Sequence, residues 1–218
     1  MNQTPARLSF ENRLADRVAV GWFVMTGATI EPESEALSLA IEARVRTLQE
    51  TYPEPALAGD LLAPARRLYW DLGIDPSKRR PASEALLRRA IQGKGLYRVN
   101  TAVDAANLAS LSSFLPVGLY DRDRIEGDTV VLRLGEEGES YPGIGKGDIH
   151  LEGRPLLADA RGPFGNPSAD SLRTSVGLET RSLLFVLYAP AQTGREEIER
   201  HLDEAARILE TYTGARRV

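Results

Sequence analysis

The sequence has no cysteine, only two histidines, and no apolar run approaching the ~20 residues that a membrane span requires. Zero Cys excludes disulfides, thiolate metal sites and thiol nucleophiles; it fits a reducing compartment, and the chain reads as cytoplasmic. The longest apolar piece, 183–190, has only the length of a strand, so no membrane partner is expected. The first thirty residues include Glu11 and Asp16 and lack the basic-then-apolar pattern of a secretory signal. His150 falls in an expected strand and His201 on the terminal helix. With no second His at metal-ligand spacing, a zinc site is disfavoured and a Ser-His-Asp triad has little support.

What is present is the composition of a soluble globular protein: 218 residues, 42% of them hydrophobic, enough to bury a core without staples. The net charge of -4 is unevenly spread. Residues 60–100 hold nine basic side chains (Arg66, Arg67, Lys78, Arg79, Arg80, Arg88, Arg89, Lys94, Arg98) against four acids (Asp60, Asp71, Asp75, Glu84), so this segment is +5 and the remainder -9. A localised basic face can meet a polyanion while the bulk repels one; the same residues are also what two well-solvated helices would carry.

Along the chain, RVAVGWFVM (17–25) reads as a buried strand ending at Thr26 and Gly27. Ser34–Tyr52 has Leu37, Ile41, Val45 and Leu48 at helical spacing and stops at Pro53. Leu61–Leu72 gives a second helix with Leu62, Leu68 and Tyr69 inward, ending at Gly73. Ser83 is the expected cap of a third, running to Ile91 before Gly93 and Gly95. Tyr97–Val103 reads as extended, and Asp104 as the cap of a helix to Ser113 closed by Pro116. Beyond this the pattern becomes mostly β: Thr129–Leu134, Asp148–Leu151, Pro155–Ala160 and Ser182–Tyr188 are strand-like, separated by Gly-rich turns at 135–147 and 162–168. Arg195–Tyr212 closes the chain as an amphipathic helix. Helices and strands come in blocks, which favours a single α+β domain with a largely antiparallel sheet.

The stretch YPGIGKGD (141–148) invites a phosphate-loop reading but has Gly147 where the motif needs a hydroxyl after the lysine; a hairpin loop fits better, with Lys146 able to touch a phosphate. Two polar clusters stand out. Asn100, Asp104 and Asn107 gather at the start of a helix, where they suit recognition of an amino or hydroxyl group or, equally, simple capping. GPFGNPSADSLRTS (162–175) concentrates Asn166, Ser168, Asp170, Ser171, Arg173 and Thr174 in a loop stiffened by Gly162, Pro163, Gly165 and Pro167, as a binding site or an ordinary surface turn would.

At these clusters the sequence resembles the editing domain, called B3/B4, of the bacterial phenylalanyl-tRNA synthetase beta subunit, and more closely its free-standing relatives. Val103, Asp104 and Asn107 resemble VDxTN; Pro116, Tyr120 and Asp121 resemble PLHAFD; Asp159, Gly162 and Pro163 stand in LLADARGP; Glu179, Thr180, Leu183 and Leu184 match ETxxLL. The resemblance runs from about Arg66 to Pro190. It implies an α+β fold, a layered β/β/α domain with a mostly antiparallel sheet. Residues 1–60 and the terminal helix lie outside the resemblance; the chain reads as one domain over 1–218, with 1–60 as an N-terminal extension of strand plus helix packed on a 61–190 core and 195–213 as the closing helix.

The function implied is binding of aminoacyl-tRNA and hydrolysis in trans of tyrosine wrongly esterified to phenylalanine tRNA. In that reaction a water attacks the carbonyl and the ribose hydroxyl leaves. Asn100, Asp104, Asn107, Gly118, Gly162, Asn166, Ser171 and Thr174 would hold the aminoacyl group. Lys78, Arg79, Arg80, Arg88, Arg89 and Lys94 would touch tRNA phosphates. Gly118 stands where the family has His, and GNPSADS has no counterpart to the Glu of the family's GGE motif. Asp170 is the nearest acid and the candidate to position a water. The alternative is a non-catalytic module that binds RNA or a small amino acid with the same pocket, and a third possibility is an interaction domain whose pocket is filled by its own side chains. No cofactor and no metal is implied, since this hydrolysis needs water and positioning.

Overall fold

A computed structural model describes residues 8–145 and 147–218; Lys146 and its expected phosphate contact therefore lie outside the described residues. Ten strands and five helices follow in the order β1 (Ser9–Asn12), β2 (Val18–Thr26), α1 (Glu35–Thr51), α2 (Gly59–Asp71), α3 (Ala82–Ile91), α4 (Thr101–Ser113), β3 (Val117–Asp121), β4 (Thr129–Leu134), β5 (Ser140–Pro142), β6 (Asp148–His150), β7 (Pro155–Asp159), β8 (Gly162–Gly165), β9 (Leu183–Pro190), α5 (Arg195–Thr213) and β10 (Arg216–Arg217). One sheet has the order β1-β4-β7-β8, antiparallel except for the parallel β1–β4 pair; the second, β10-β2-β9-β3, is antiparallel throughout. β5 and β6 form a separate hairpin, as the glycine-rich loop suggested.

Strand parity builds the layers. Every residue of β9 is buried. Leu183, Phe185, Leu187 and Ala189 pack against α1, α4 and α5, whereas Leu184, Val186 and Tyr188 turn to the first sheet and meet Val130, Leu132, Leu157 and Phe164. β2 obeys the same alternation, with Phe23 and Met25 toward the helices and Val18 and Val24 between the sheets. The molecule is thus a β/β/α stack. Leu68, Tyr69 and Leu72 of α2 close one end of the sandwich. Residues 18–26, read from sequence as part of an extension, are an inner strand between β10 and β9. Among the described residues no helix is long and apolar enough to cross a membrane.

Several boundaries differ from the sequence reading. Asn100, not Asp104, caps α4: its side chain accepts the Val103 amide at 3.0 Å, so the extended stretch ends at Asn100 and the helix starts at Thr101. Ser83 is not a cap either. α3 begins at Ala82 behind Pro81, and the Ser83 hydroxyl is buried without a partner. The turns expected at 135–147 and 162–168 contain β5 and β8, and β1, β3 and β10 also went unread, because strands of two to five residues leave little alternation to detect.

Gly21 on β2 faces α5, where an added Cβ would stand 2.5 Å from Ile198 Cγ2 and 2.9 Å from Leu202 Cδ1. Gly21→Val is expected to destabilise the domain by about 1–3 kcal/mol through overpacking, read as a lowered denaturation midpoint at unchanged slope; an unaltered midpoint would show that α5 can shift freely.

Candidate functional site

The residues that carry the family resemblance mostly tie loops together. Asp121, at the end of β3, accepts the Thr180 hydroxyl at 2.7 Å and lies 3.3 Å from the Arg124 guanidinium, which in turn reaches Glu179 at 2.6 Å. Asp159 on β7 accepts the amides of Glu126, Arg161 and Gly162 and pairs through both oxygens with Arg173. Gly162 has φ 125°, a conformation that only glycine adopts without strain, which lets its amide turn onto Asp159. These contacts fix the frame on which loop 166–174 hangs. Ser171 donates its amide, and Thr174 its hydroxyl, to the Phe164 carbonyl of β8.

That loop is gripped by tyrosines from three elements, with a fourth, Tyr188 of β9, behind one of them. Gly118 and Tyr120, two apart on β3, share the inter-sheet face, and the Tyr120 ring lies where a side chain at Gly118 or Gly165 would be: a Cβ at either position would collide with the phenol. The ring meets Phe164 edge-on with centroids 5.1 Å apart. Its hydroxyl donates to Asp170 Oδ1 at 2.8 Å, with the Tyr188 hydroxyl 3.5 Å away. The Asn166 amide also donates to Asp170 Oδ1, at 3.3 Å. Asn166 Oδ1 accepts the Ser168 and Ala169 amides at 2.7 and 2.8 Å, and Nδ2 donates to Tyr141, whose hydroxyl donates to the Ala169 carbonyl. Tyr69 of α2 donates to the Pro167 carbonyl at 2.8 Å.

Burial pushes Tyr69 up to about 12 and lifts Tyr120, Tyr141 and Tyr188 well above the ordinary tyrosine value, so all four phenols are neutral donors at neutral pH. Burial also raises Asp170 to about 6, against the opposing effect of the Tyr120 and Asn166 hydrogen bonds. A carboxyl so tuned can accept a proton near neutrality, as a general base must. A cleft of about 260 Å³ opens against the preceding residues of the loop, lined by Arg79, Ile149, Arg154, Asn166, Ser168 and Ala169, and Asp170 is not part of its wall. Among the described residues no three His, Asp or Glu side chains stand together as a metal site.

The remaining candidates are dispersed. Asp104, buried in the first turn of α4, accepts the Val99 amide at 3.0 Å and lies 3.5 Å from Arg98; burial raises its pKa, with those two contacts opposing. Asn107 is half-buried on the same helix. Since α4 packs on the helix side of the second sheet and the Tyr120 ring on the other, Asp104 and Asn107 are not brought to Asp170; Asn100 connects the regions by donating to the Val176 carbonyl. In the basic segment, Arg66, Arg80 and Arg88 converge on Glu84, whose side chain is 1% exposed, at 2.7, 3.5 and 2.8 Å. Burial pushes that carboxyl up, and Arg66 and Arg88 more than offset it, holding it below the usual range. Arg89 stacks on Tyr97 at 3.8 Å, while Lys78, Arg79 and Lys94 remain exposed. Sequence reading does not single out Tyr69, Tyr141, Tyr188 or Arg154 as site residues. The available signal was Tyr188 in a wholly apolar strand, because a buried phenol must find a hydrogen-bond partner.

Two sheets, a helix layer, and an acidic loop clasped by phenols at the sandwich edge define a β/β/α domain built to present that loop. Residues 64–214 match the B3/4 domain family, and the chain belongs to it. It is 34% identical over 94 residues to the phenylalanine–tRNA ligase beta subunit of Streptomyces avermitilis, covering 43% of this chain and 11% of that protein. It is 32% identical over 84 residues to the same subunit of Protochlamydia amoebophila, covering 38% and 10%. The chain therefore spans about a tenth of the length of these curated relatives. Among solved structures, an N-terminal fragment of the phenylalanyl-tRNA synthetase beta subunit from Pyrococcus horikoshii superposes with a TM-score of 0.49 at 16% identity, over 99% of this chain and 52% of that one.

Gly118→Ala is expected to lower stability by about 1–3 kcal/mol by displacing the Tyr120 phenol, and most of that penalty to vanish in a Tyr120→Leu background. Strict additivity in this double-mutant cycle would show that the ring does not occupy the Gly118 space. The folded protein also holds the Asp170 proton more tightly than the unfolded chain, so this group's contribution to stability declines as pH rises from 3.8 through about 6. Asp170→Asn should therefore flatten the stability profile in that window and raise stability at pH 7; an unchanged profile would rule out the raised pKa.

Proposed function

We propose that this domain binds the acceptor end of an aminoacyl-tRNA, with the exposed cations around α3 meeting the phosphates and the cleft at loop 166–170 receiving the terminus. The observation that carries this reading is the juxtaposition of Arg79 with the clasped acidic loop in one cleft, within a domain whose named relatives are tRNA ligase subunits. Lys78, Arg79 and Lys94 supply electrostatic attraction, and the Arg66, Arg80 and Arg88 cluster, three cations sharing the one Glu84 carboxylate, stays net positive beside them.

Hydrolysis of the aminoacyl ester is the second reading, and the raised pKa of Asp170 favours it. A water held by the carboxylate would lose its proton to Asp170 as it attacks the carbonyl, and the ribose hydroxyl would leave with a proton. Tyr120 and the Asn166 amide, both donating to Oδ1, orient the carboxylate and leave Oδ2 to take the proton.

Binding to phenylalanine tRNA should weaken linearly in log salt, and replacing Lys78, Arg79 and Lys94 together by Ala should reduce the slope by roughly 0.7–0.9 per lost contact. Absence of salt-dependent binding would remove the proposal. In the same preparations, release of tyrosine or phenylalanine above the buffer blank, rising through pH about 6 and lost in Asp170→Asn, would establish the hydrolase. Rates equal to the blank at undiminished binding would leave the binding module.

A further inference from the structure

Arg79 and Arg154 come from distant parts of the chain and line the same two adjoining clefts. One is the 260 Å³ cleft against Asn166, Ser168 and Ala169; the other, of about 210 Å³, is bounded by Leu72, Gly73, Ile74, Asp75, Lys78 and Gly153. Their backbones are pinned. The Arg79 amide donates to the Asp75 carbonyl at 2.9 Å; the Arg154 amide donates to the Leu151 carbonyl at 2.8 Å and its carbonyl accepts the Gly135 amide at 2.8 Å. Their guanidiniums, in contrast, have no carboxylate within 4.0 Å among the described residues, unlike Arg66, Arg88, Arg133 and Arg173, which all do. The one acid on the wall, Asp75, is turned to the Ser77 amide and hydroxyl at 2.8 and 2.6 Å.

Two cations facing one cleft repel each other, and Arg154 is half-buried as well. Burial first, and then the charge of Arg79, lower its pKa, whereas ion-paired arginines elsewhere in the chain are shifted up. Such an arrangement is electrostatically incomplete, and a doubly bonded oxyanion completes it, since the guanidinium fork matches phosphate geometry. The Ser168 residue is exposed and its hydroxyl sits on the same wall, 3.2 Å from the Tyr69 hydroxyl, as a further donor.

We infer that Arg79 and Arg154 form a phosphate-binding site that holds a nucleotide phosphate against the outer side of loop 166–170. This rests on the acceptor-end reading above and deepens it. The phosphate sits on the side of the loop that carries Ser168 and Ala169. Arg154 is thereby a ligand-binding residue and not a surface charge.

Calorimetric titration of the full chain with inorganic phosphate, adenosine 5′-monophosphate, adenosine and uncharged phenylalanine tRNA tests it. Phosphate and the monophosphate should each saturate one site, adenosine should not, and Arg79→Ala and Arg154→Ala should each weaken binding by about tenfold or more, with Arg154→Lys between. The monophosphate binding more tightly than phosphate assigns the site to a nucleotide, and equal affinity assigns it to the phosphate group alone. No saturable binding to the wild type, or affinity unchanged in Arg79→Ala/Arg154→Ala, would overturn the inference. The two readings fail separately: a chain that binds the monophosphate but not tRNA keeps the site and loses the tRNA reading. If instead tRNA binding is indifferent to Arg154→Ala and abolished by Lys78→Ala/Lys94→Ala, the reading stands and the phosphate site falls.

Discussion

Burial of β9 on both faces is the constraint from which the architecture follows. A strand whose eight residues are all inside cannot be satisfied by one layer, so a sheet must cover one face and helices the other. The alternation of Leu183, Phe185 and Leu187 with Leu184, Val186 and Tyr188 then assigns each neighbour to a side, and a slip of one residue would exchange the two sets. β2 and β3 inherit their parity from pairing with β9: Gly21 faces α5, and Gly118 and Tyr120 face the first sheet. The position of the candidate site is a consequence of register.

At that edge the sandwich uses polar contacts to hold an irregular loop. A loop of Asn, Pro, Ser and Asp has little apolar surface to bury, and its conformation is fixed instead by three phenols and an Asn side chain, each with a partner. The same packing that rigidifies the loop raises the Asp170 pKa, so structural clasping and chemical tuning have one cause, desolvation. Asp121, Asp159 and Thr180 form the outer frame of this arrangement, so these motif residues hold the surrounding loops in place.

The electrostatic character of the surface is likewise set by pairing more than by composition. The segment 60–100 is +5 in sequence, yet Glu84 draws three of its arginines into one buried carboxylate and Arg89 lies on Tyr97. The net charge of the segment is unchanged by this pairing, but the cations left without a carboxylate partner are fewer, and Arg79 among them joins Arg154, which arrives from the β half of the chain.

The long periodic elements were legible without coordinates. α1, α5 and β4 declare themselves because 3.6- and 2-residue alternation needs only local sequence, and the family motifs, being ordered short strings, pointed to the layered fold. Short strands such as β1 and β8, and the choice of Asn100 over Asp104 as cap, were not, since an isolated run of four residues or one of several capping side chains is settled by what packs against it. The sequence by itself determined the fold class and the charged segment, properties of residue type and local order, while the family resemblance pointed to Asp170 as the candidate acid. The Tyr120 ring in the Gly118 space, the convergence of Arg66, Arg80 and Arg88 on Glu84, and the meeting of Arg79 with Arg154 were decided by tertiary structure alone, because each depends on distances between residues that the chain brings together only on folding.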